Sequence, residues 1–233
     1  MGNIAAVVLA GGKGERMGTP MPKQFLVINE RMVAEYSIDL FLNLAEIAEV
    51  VVVCPPTYQE LFQKTFKSHH KLTFALPGIR RQDSTYNGMC AIQGDASWIC
   101  VHDAARPLIT EDLVRRVIHG AYLCGAAVAA MPIKYTLKEG DGEQFVINTP
   151  DRSRFWEIQT PQMTTIKALK EGFLKADALS KTVTDEASLL ELIGQSVKLV
   201  EGSYRNLKVT TQEDLAIMEL LIRSIEARDE VKC

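Results

Sequence analysis

The chain has 233 residues, 47% hydrophobic and 24% charged, with 26 Lys and Arg against 29 Asp and Glu. That length carries one large α/β domain or two small ones, and the net charge of −3 argues against a general nucleic-acid binder while leaving room for a local basic pocket that takes one anionic ligand. No apolar run approaches the roughly 20 residues of a membrane helix, and the N-terminus lacks a basic-then-apolar signal pattern, so a cytoplasmic protein is expected.

Ile4 to Leu9 is a short, nearly all-apolar run rich in β-branched residues, which predicts a strand buried on both faces. It empties into Ala10-Gly11-Gly12-Lys13-Gly14-Glu15-Arg16-Met17-Gly18, with Lys23 a few residues on. Glycines leave backbone N–H groups open to a close-approaching ligand. Such donors beside Lys13, Arg16 and Lys23 suit a polyphosphate. The loop fails the G-x-x-x-x-G-K-[ST] pattern, and a dinucleotide fingerprint begun at Gly12 and Gly14 has Met17 at its third position. An ordinary glycine-rich turn beside solvated charges is the plain alternative.

Further along, apolar spacing predicts a helix over Val33 to Leu44, then a second buried strand over Glu49 to Cys54 stopped by Pro55-Pro56. A helix over Tyr58 to Phe66 and a strand over Leu72 to Leu76 follow, and Pro77-Gly78 turns the chain. Arg80-Arg81 opens a helix running through Ile92. Two cations there oppose the macrodipole, a cost that a bound anion would offset and that solvent would otherwise screen. A fourth strand, Trp98 to Val101, ends in His102-Asp103-Ala104-Ala105-Arg106-Pro107. Thr110 reads as the N-cap of a helix from Glu111 to Leu123, and Ala126 to Met131 as a fifth strand. Strands alternating with helices of this length predict βαβ units.

The rhythm breaks over 133–155, where Lys134 to Leu137 and Gln144 to Ile147 flank a Gly140-Asp141-Gly142 turn. An isolated hairpin is marginal in water, so this arm is expected to pack on another subunit or fold back. Phe155 to Gln162 is strand-like, Lys167 to Lys175 helical, and Thr184-Asp185-Glu186 opens a short helix through Ile193. Val197 to Val200 and Asn206 to Val209 read as extended, and Thr210-x-x-Glu213 as a capping box for a last amphipathic helix. No linker is evident, so 1–233 is expected to be a single domain with a protruding arm. The expected architecture is α/β, a Rossmann-like, mostly parallel open sheet with helices on both faces.

In such sheets ligands bind at the carboxyl ends of strands. The glycine loop, Arg80-Arg81 and the His102–Arg106 turn all fall there, and Lys208 ends a late extended segment. Asp103 suits a Mg²⁺ ligand in phosphoryl transfer, or caps the turn after it. His102 has no nucleophile to activate and reads as turn-stabilising. The five cysteines form no C-x-x-C pair and suggest neither a disulfide framework nor a zinc site. Cations, glycine donors and a carboxylate without Ser-His or Cys-His partners fit phosphoryl or nucleotidyl transfer.

Leu9-Ala10-Gly11-Gly12 with Arg16, Met17 and Lys23 resembles the signature loop of sugar and polyol-phosphate nucleotidyltransferases. Gly78-x-x-Arg81-x-x-Ser84, His102 to Pro107, Gln159-Thr160-Pro161-Gln162, Thr184 to Ala187 and Asn206 to Thr210 narrow the resemblance to the 2-C-methyl-D-erythritol 4-phosphate cytidylyltransferases. It implies transfer of CMP from CTP to the polyol phosphate, with pyrophosphate released and Mg²⁺ as cofactor. It implies Arg16, Lys23 and Lys208 as catalytic. The nucleotide would be held by Ala10, Gly11, Gly12, Gly14, Gly78, Arg81, Ser84, Asp103 and Ala104, with Asp103 at the metal. Arg106, Thr160, Thr184 and Lys208 would meet the acceptor, joined by Thr136 and Arg152 from an arm exchanged in a homodimer.

Three departures stand out. Gly11 replaces a common Ala, a change expected to be harmless; Pro77 replaces a common Gly and is expected to stiffen the cytosine segment; Tyr135 stands where an Asp often precedes Thr136. The rivals are a pentitol-phosphate (ribitol-5-phosphate) cytidylyltransferase, an NAD(P)-dependent oxidoreductase and a nucleotide-binding protein without turnover.

Overall fold

The computed structural model describes residues 2–12 and 21–230, with the side chains of 226–230 left out. The chain runs β1 (Ile4–Leu9), β2 (Val27–Ile28), β3 (Arg31–Met32), α1 (Val33–Asn43), β4 (Ile47–Val53), α2 (Pro56–Thr65), β5 (Leu72–Ala75), α3 (Arg81–Cys90) and β6 (Trp98–Asp103). It continues with α4 (Glu111–Cys124), β7 (Ala126–Pro132), β8 (Glu139–Gly140), β9 (Val146–Asn148), β10 (Trp156–Thr165), α5 (Ile166–Ala178), α6 (Glu186–Glu191), β11 (Lys198–Glu201) and α7 (Gln212–Glu230).

A seven-stranded sheet in the order β11-β7-β10-β6-β1-β4-β5 forms the centre. β1 pairs in parallel with β4 and β6, β4 with β5, and β7 with β11. β10 runs antiparallel between β6 and β7. The sheet is therefore mixed and mostly parallel. The strand itself is expected from Phe155 to Gln162, but its antiparallel direction is not, because a buried strand reads the same in either direction.

β1 shows why its run has no polar face. Ile4, Ala6 and Val8 enter a core beneath α1, α2 and α4. Val7 points the other way, toward α3 and α5. α3 lies close on β1 because Gly88 has no Cβ; one there would stand 2.4 Å from a methyl of Val7. α4 begins where expected, with Thr110 Oγ1 accepting from Leu113 N–H, and ends at Gly125 with φ of 84°. Among the described residues no helix is long and apolar enough to cross a membrane.

Several expectations are revised. Residues 134–137 form no strand; the arm's ladder is only β8 against β9, closed by Asp141 Oδ1, which accepts from Glu143 and Phe145 N–H. A two-stranded ribbon with nothing beneath it gains too little burial to extend. Asn206 to Val209 is likewise no strand, and is pinned by single contacts such as Val209 N–H to Ala105 O at 2.8 Å. The cap of α7 is shifted one residue from the expected box. Thr211 Oγ1 accepts from Asp214 N–H, and Asp214 Oδ2 accepts from Thr210 and Thr211 N–H. The β2–β3 hairpin has no counterpart in the expected elements.

Candidate active site

Parallel register brings three strand ends level, with Leu9 opposite both Val53 and Asp103. The glycine loop leaves β1 here, tied down at Ala10, whose N–H donates to Val53 O at 2.9 Å. Gln24 is buried and its side-chain amide donates to Ala10 O at 2.8 Å and Gly12 O at 2.7 Å. Those two bonds straddle Gly11 and turn its neighbours' carbonyls toward Gln24. Gln24 follows Lys23 in the sequence, and its role is visible only once the loop is closed over it. Gly14 and Arg16 lie outside the described residues.

The electrostatic centre is Asp103, at the end of β6. Arg81 donates to its Oδ1 from Nε and Nη2, both at 3.1 Å, and Lys208 Nζ donates to Oδ2 at 2.7 Å. Arg106 Nε stands 3.9 Å from the same Oδ2. Burial pushes the Asp103 carboxyl upward, but Arg81, Lys208 and Arg106 together outweigh it and hold the group well below the usual carboxylate range. Arg81 also donates to both oxygens of Glu186, at 2.7 and 3.1 Å. Burial opposes its charge, and the Glu186 and Asp103 carboxylates more than compensate, raising its pKa. The two adjacent arginines thus need no external anion. Arg81 is neutralised by carboxylates from β6 and α6, and Arg80 grips Asp83 at 2.6 to 3.1 Å.

His102 is fully buried, and burial pushes its imidazole down to about 3. Being neutral, it has one donor. Arg106 O can only accept, so Nε2–H donates there at 3.2 Å, and Nδ1 accepts from the Thr160 hydroxyl at 3.0 Å. Thr160 Oγ1 in turn accepts from Asp103 N–H at 3.1 Å. This chain clamps the 102–106 turn from inside, the turn-stabilising role expected of His102.

Two cavities meet at the cluster. The first, about 450 Å³, is lined by Gly11, Gly12, Lys23, Gln24, Gly78 and Ser84, among others. The second, about 560 Å³, is lined by Arg106, Gln159, Thr160, Thr184, Asp185 and further residues. Arg81, Asp103 and Lys208 line both. Thr160 reaches the second with its proton already given to His102, so it offers only acceptance there. Ser84 Oγ accepts from Gly78 N–H at 3.0 Å and thereby shapes that lip. Ala104 is fully buried, its N–H donating to Leu9 O, and Ala105 takes its place on the first cavity wall. Thr136 and Arg152 are exposed on the arm and line neither cavity of their own chain; Arg152 donates to Lys134 O at 2.7 Å. Leu9 and Thr210, which belong to the sequence motifs but to none of the expected site residues, also line the first cavity.

Among the described residues nothing at the site supplies a covalent nucleophile. Burial pushes the Cys54 and Cys100 thiols up to about 12, away from thiolate chemistry. Among the described residues no group of three or more His, Cys, Asp or Glu is placed to hold a metal by itself. Asp103 is the carboxylate on the wall of the first cavity among the described residues. One carboxylate beside cations suits an ion that arrives with phosphate oxygens as its other ligands.

Gly11 faces the opposite loop. A Cβ there would stand 2.3 Å from Pro77 Cβ, so two of the departures from the family pattern face each other and are not independent.

Comparison with known proteins gives a consistent answer. The sequence profile of IspD, 2-C-methyl-D-erythritol 4-phosphate cytidylyltransferase, matches residues 4–224. The chain is 45% identical over 223 residues to the chloroplastic 2-C-methyl-D-erythritol 4-phosphate cytidylyltransferase of Oryza sativa subsp. japonica, covering 94% of this chain and 74% of that one. It is 36% identical to the cytidylyltransferase of Desulforamulus reducens, over 96% of this chain and 97% of the relative. Its structure is similar to that of 4-diphosphocytidyl-2C-methyl-D-erythritol synthase from Anaerococcus prevotii, with a TM-score of 0.85, 28% identity, and 95% and 96% of the two chains covered.

Proposed function

The chain belongs to the 2-C-methyl-D-erythritol 4-phosphate cytidylyltransferase family, and from that premise we propose how its own residues divide the work. It is a CTP-dependent cytidylyltransferase of the non-mevalonate isoprenoid pathway. CTP lies in the first cavity, its base between Ala10 to Gly12 and the Gly78–Ser84 lip, its phosphates toward Lys23. 2-C-Methyl-D-erythritol 4-phosphate lies in the second, against Arg106, Thr184 and the Thr160 oxygen. The observation that carries this reading is the shared wall: Lys208 and Arg81, both on Asp103, border the two cavities at once.

An acceptor phosphate oxygen attacks the α-phosphorus of CTP in line. The new O–P bond forms as the bond to the β-phosphate oxygen breaks, and pyrophosphate leaves with that electron pair. Lys208 and Lys23 are positioned donors for charge growing on the equatorial and leaving oxygens. Arg81 holds Asp103 ionised and oriented. Asp103 would provide a protein oxygen for Mg²⁺, an ion that supplies charge neutralisation along the triphosphate when bound. With neutral His102 behind it and no activated thiol or hydroxyl among the described residues, the site runs direct displacement without a covalent enzyme intermediate.

Pyrophosphate release with CTP and Mg²⁺ tests the acceptor. Turnover is expected with 2-C-methyl-D-erythritol 4-phosphate, and faster turnover of ribitol 5-phosphate would overturn the assignment.

The remaining proposal is that residues 1–233 form one domain whose arm, 133–155, is a dimerisation element. Tyr135, Phe145, Val146 and Ile147 are 78, 68, 61 and 58% exposed, an apolar surface that a second copy would cover. In such a homodimer Thr136 and Arg152 would reach the partner's acceptor cavity. Sedimentation at micromolar concentration is expected to show a dimer, and a monomer there would overturn this role for 133–155.

A further inference from the structure

Adjacent glycines in the loop after β1 have different surroundings. Among the described residues a Cβ built on Gly12 meets nothing within 4 Å, whereas one on Gly11 would stand 2.3 Å from Pro77 Cβ, 3.3 Å from its Cγ and 3.4 Å from its Cα. Gly12 is open toward the cavity; Gly11 is packed against the opposite loop. Neither side of that contact has slack. Gln24 holds the carbonyls on both sides of Gly11, at Ala10 and Gly12. Pro77 is held on both sides by α3, through Asn87 Nδ2 to Leu76 O at 2.9 Å and Gly78 N–H to Ser84 Oγ at 3.0 Å. A proline ring also has no rotamer that swings its Cβ away.

We propose that the Gly11–Pro77 contact sets the width of the nucleotide cavity at its base end, with Pro77 a positioning residue, and that a side chain is tolerated at 11 only when 77 has none. This rests on the placement of the CTP base between these two loops. A methyl at 11 has to push the walls apart by about 1 Å to reach ordinary van der Waals contact, and misplacement on that scale costs up to ~100-fold in catalytic efficiency. With glycine at 77 both ring atoms vanish, and the closest remaining atom is the Cα at 3.4 Å, already at ordinary contact.

The test is CTP kinetics of the full chain at saturating polyol phosphate, for Gly11→Ala, Pro77→Gly, Gly11→Ala/Pro77→Gly and Gly11→Ala/Pro77→Ala. Gly11→Ala is expected to raise the KM for CTP by about 10- to 100-fold, with kcat changed far less, because the wall binds the nucleotide and does not touch the reacting phosphorus. Pro77→Gly alone raises it about threefold through a looser lip. The glycine double variant returns to within about threefold of Pro77→Gly. The alanine double variant stays impaired, because the colliding atom is the Cβ it retains. Additive effects in the glycine double, identical behaviour of the two doubles, or a wild-type KM in Gly11→Ala overturn the proposal. If Gly11→Ala melts too low for kinetics, the KM values of the two doubles carry the same contrast. Ser84→Ala is run in parallel because it alters the Gly78 lip without touching the Gly11–Pro77 contact. An unchanged KM for CTP there overturns the base placement itself, and this proposal with it; a raised KM beside additive doubles overturns the coupling alone.

Discussion

Lys208→Ala is expected to lower kcat by about 10²- to 10³-fold, the usual cost of removing one preorganised donor from a developing oxyanion. The ammonium lies 2.7 Å from Asp103 Oδ2 and faces both cavities. It is therefore placed where the attacking and receiving phosphates come together, and charge on the α-phosphoryl oxygens peaks there during displacement. An interaction made mainly in the transition state lowers kcat and kcat/KM together, with KM for CTP little changed. The fold survives this change, since Asp103 keeps both N–H bonds from Arg81, so the thermal midpoint is expected near wild type. Steady-state pyrophosphate release checks the first part and a melting curve the second. A kcat within about threefold of wild type would remove Lys208 from the machinery.

Arg81→Ala is expected to have the largest effect on stability. Its guanidinium serves two carboxylates, Asp103 at 10% and Glu186 at 3% side-chain exposure. Removing the partner of a buried charge costs about 3–5 kcal/mol, because the desolvated carboxylate remains. For a chain of this size that is a fall of roughly 6–20 °C in melting temperature. Glu186 then keeps one side-chain donor, Thr85 Oγ1 at 2.8 Å, while Asp103 retains Lys208. Adding Glu186→Gln removes the stranded charge and is expected to recover part of the loss, which separates a buried-charge penalty from lost packing. Arg80→Ala next door is the control. Arg80 pairs with Asp83 in solvent, side chains 47% and 30% exposed, and its loss is expected to leave the melting temperature unchanged. Equal melting of Arg81→Ala and wild type would show that the cluster contributes nothing to the fold.

The contrast between these two arginines marks how far the residue pattern reaches. Their presence at the start of α3 was plain from the sequence, and so was the oddity of two cations at a helix N-terminus. What neutralises them was not. Asp83 is three residues away and within reach of inspection, but Glu186 is 105 residues from Arg81. Likewise the glycine loop announced itself, while Gln24 was visible only as a neighbour of Lys23. Thr160 was read as facing substrate, and its hydroxyl proton is spent on His102.

The sequence by itself determined the alternation of buried strands and amphipathic helices, and with it the edge at which chemistry gathers. Parallel strands joined by right-handed crossovers bring every βα turn to one side, so Gly11, Arg81, Asp103 and Arg106 had to share it. The tertiary structure alone decided that β10 enters antiparallel, that one carboxylate ties Arg81 to Lys208 between two cavities, and that Gly11 closes on Pro77. Periodicity and turn residues are local properties and survive in any arrangement of the elements. Charge pairing and steric contact fall off over a few ångströms, and those distances exist only after distant segments have packed.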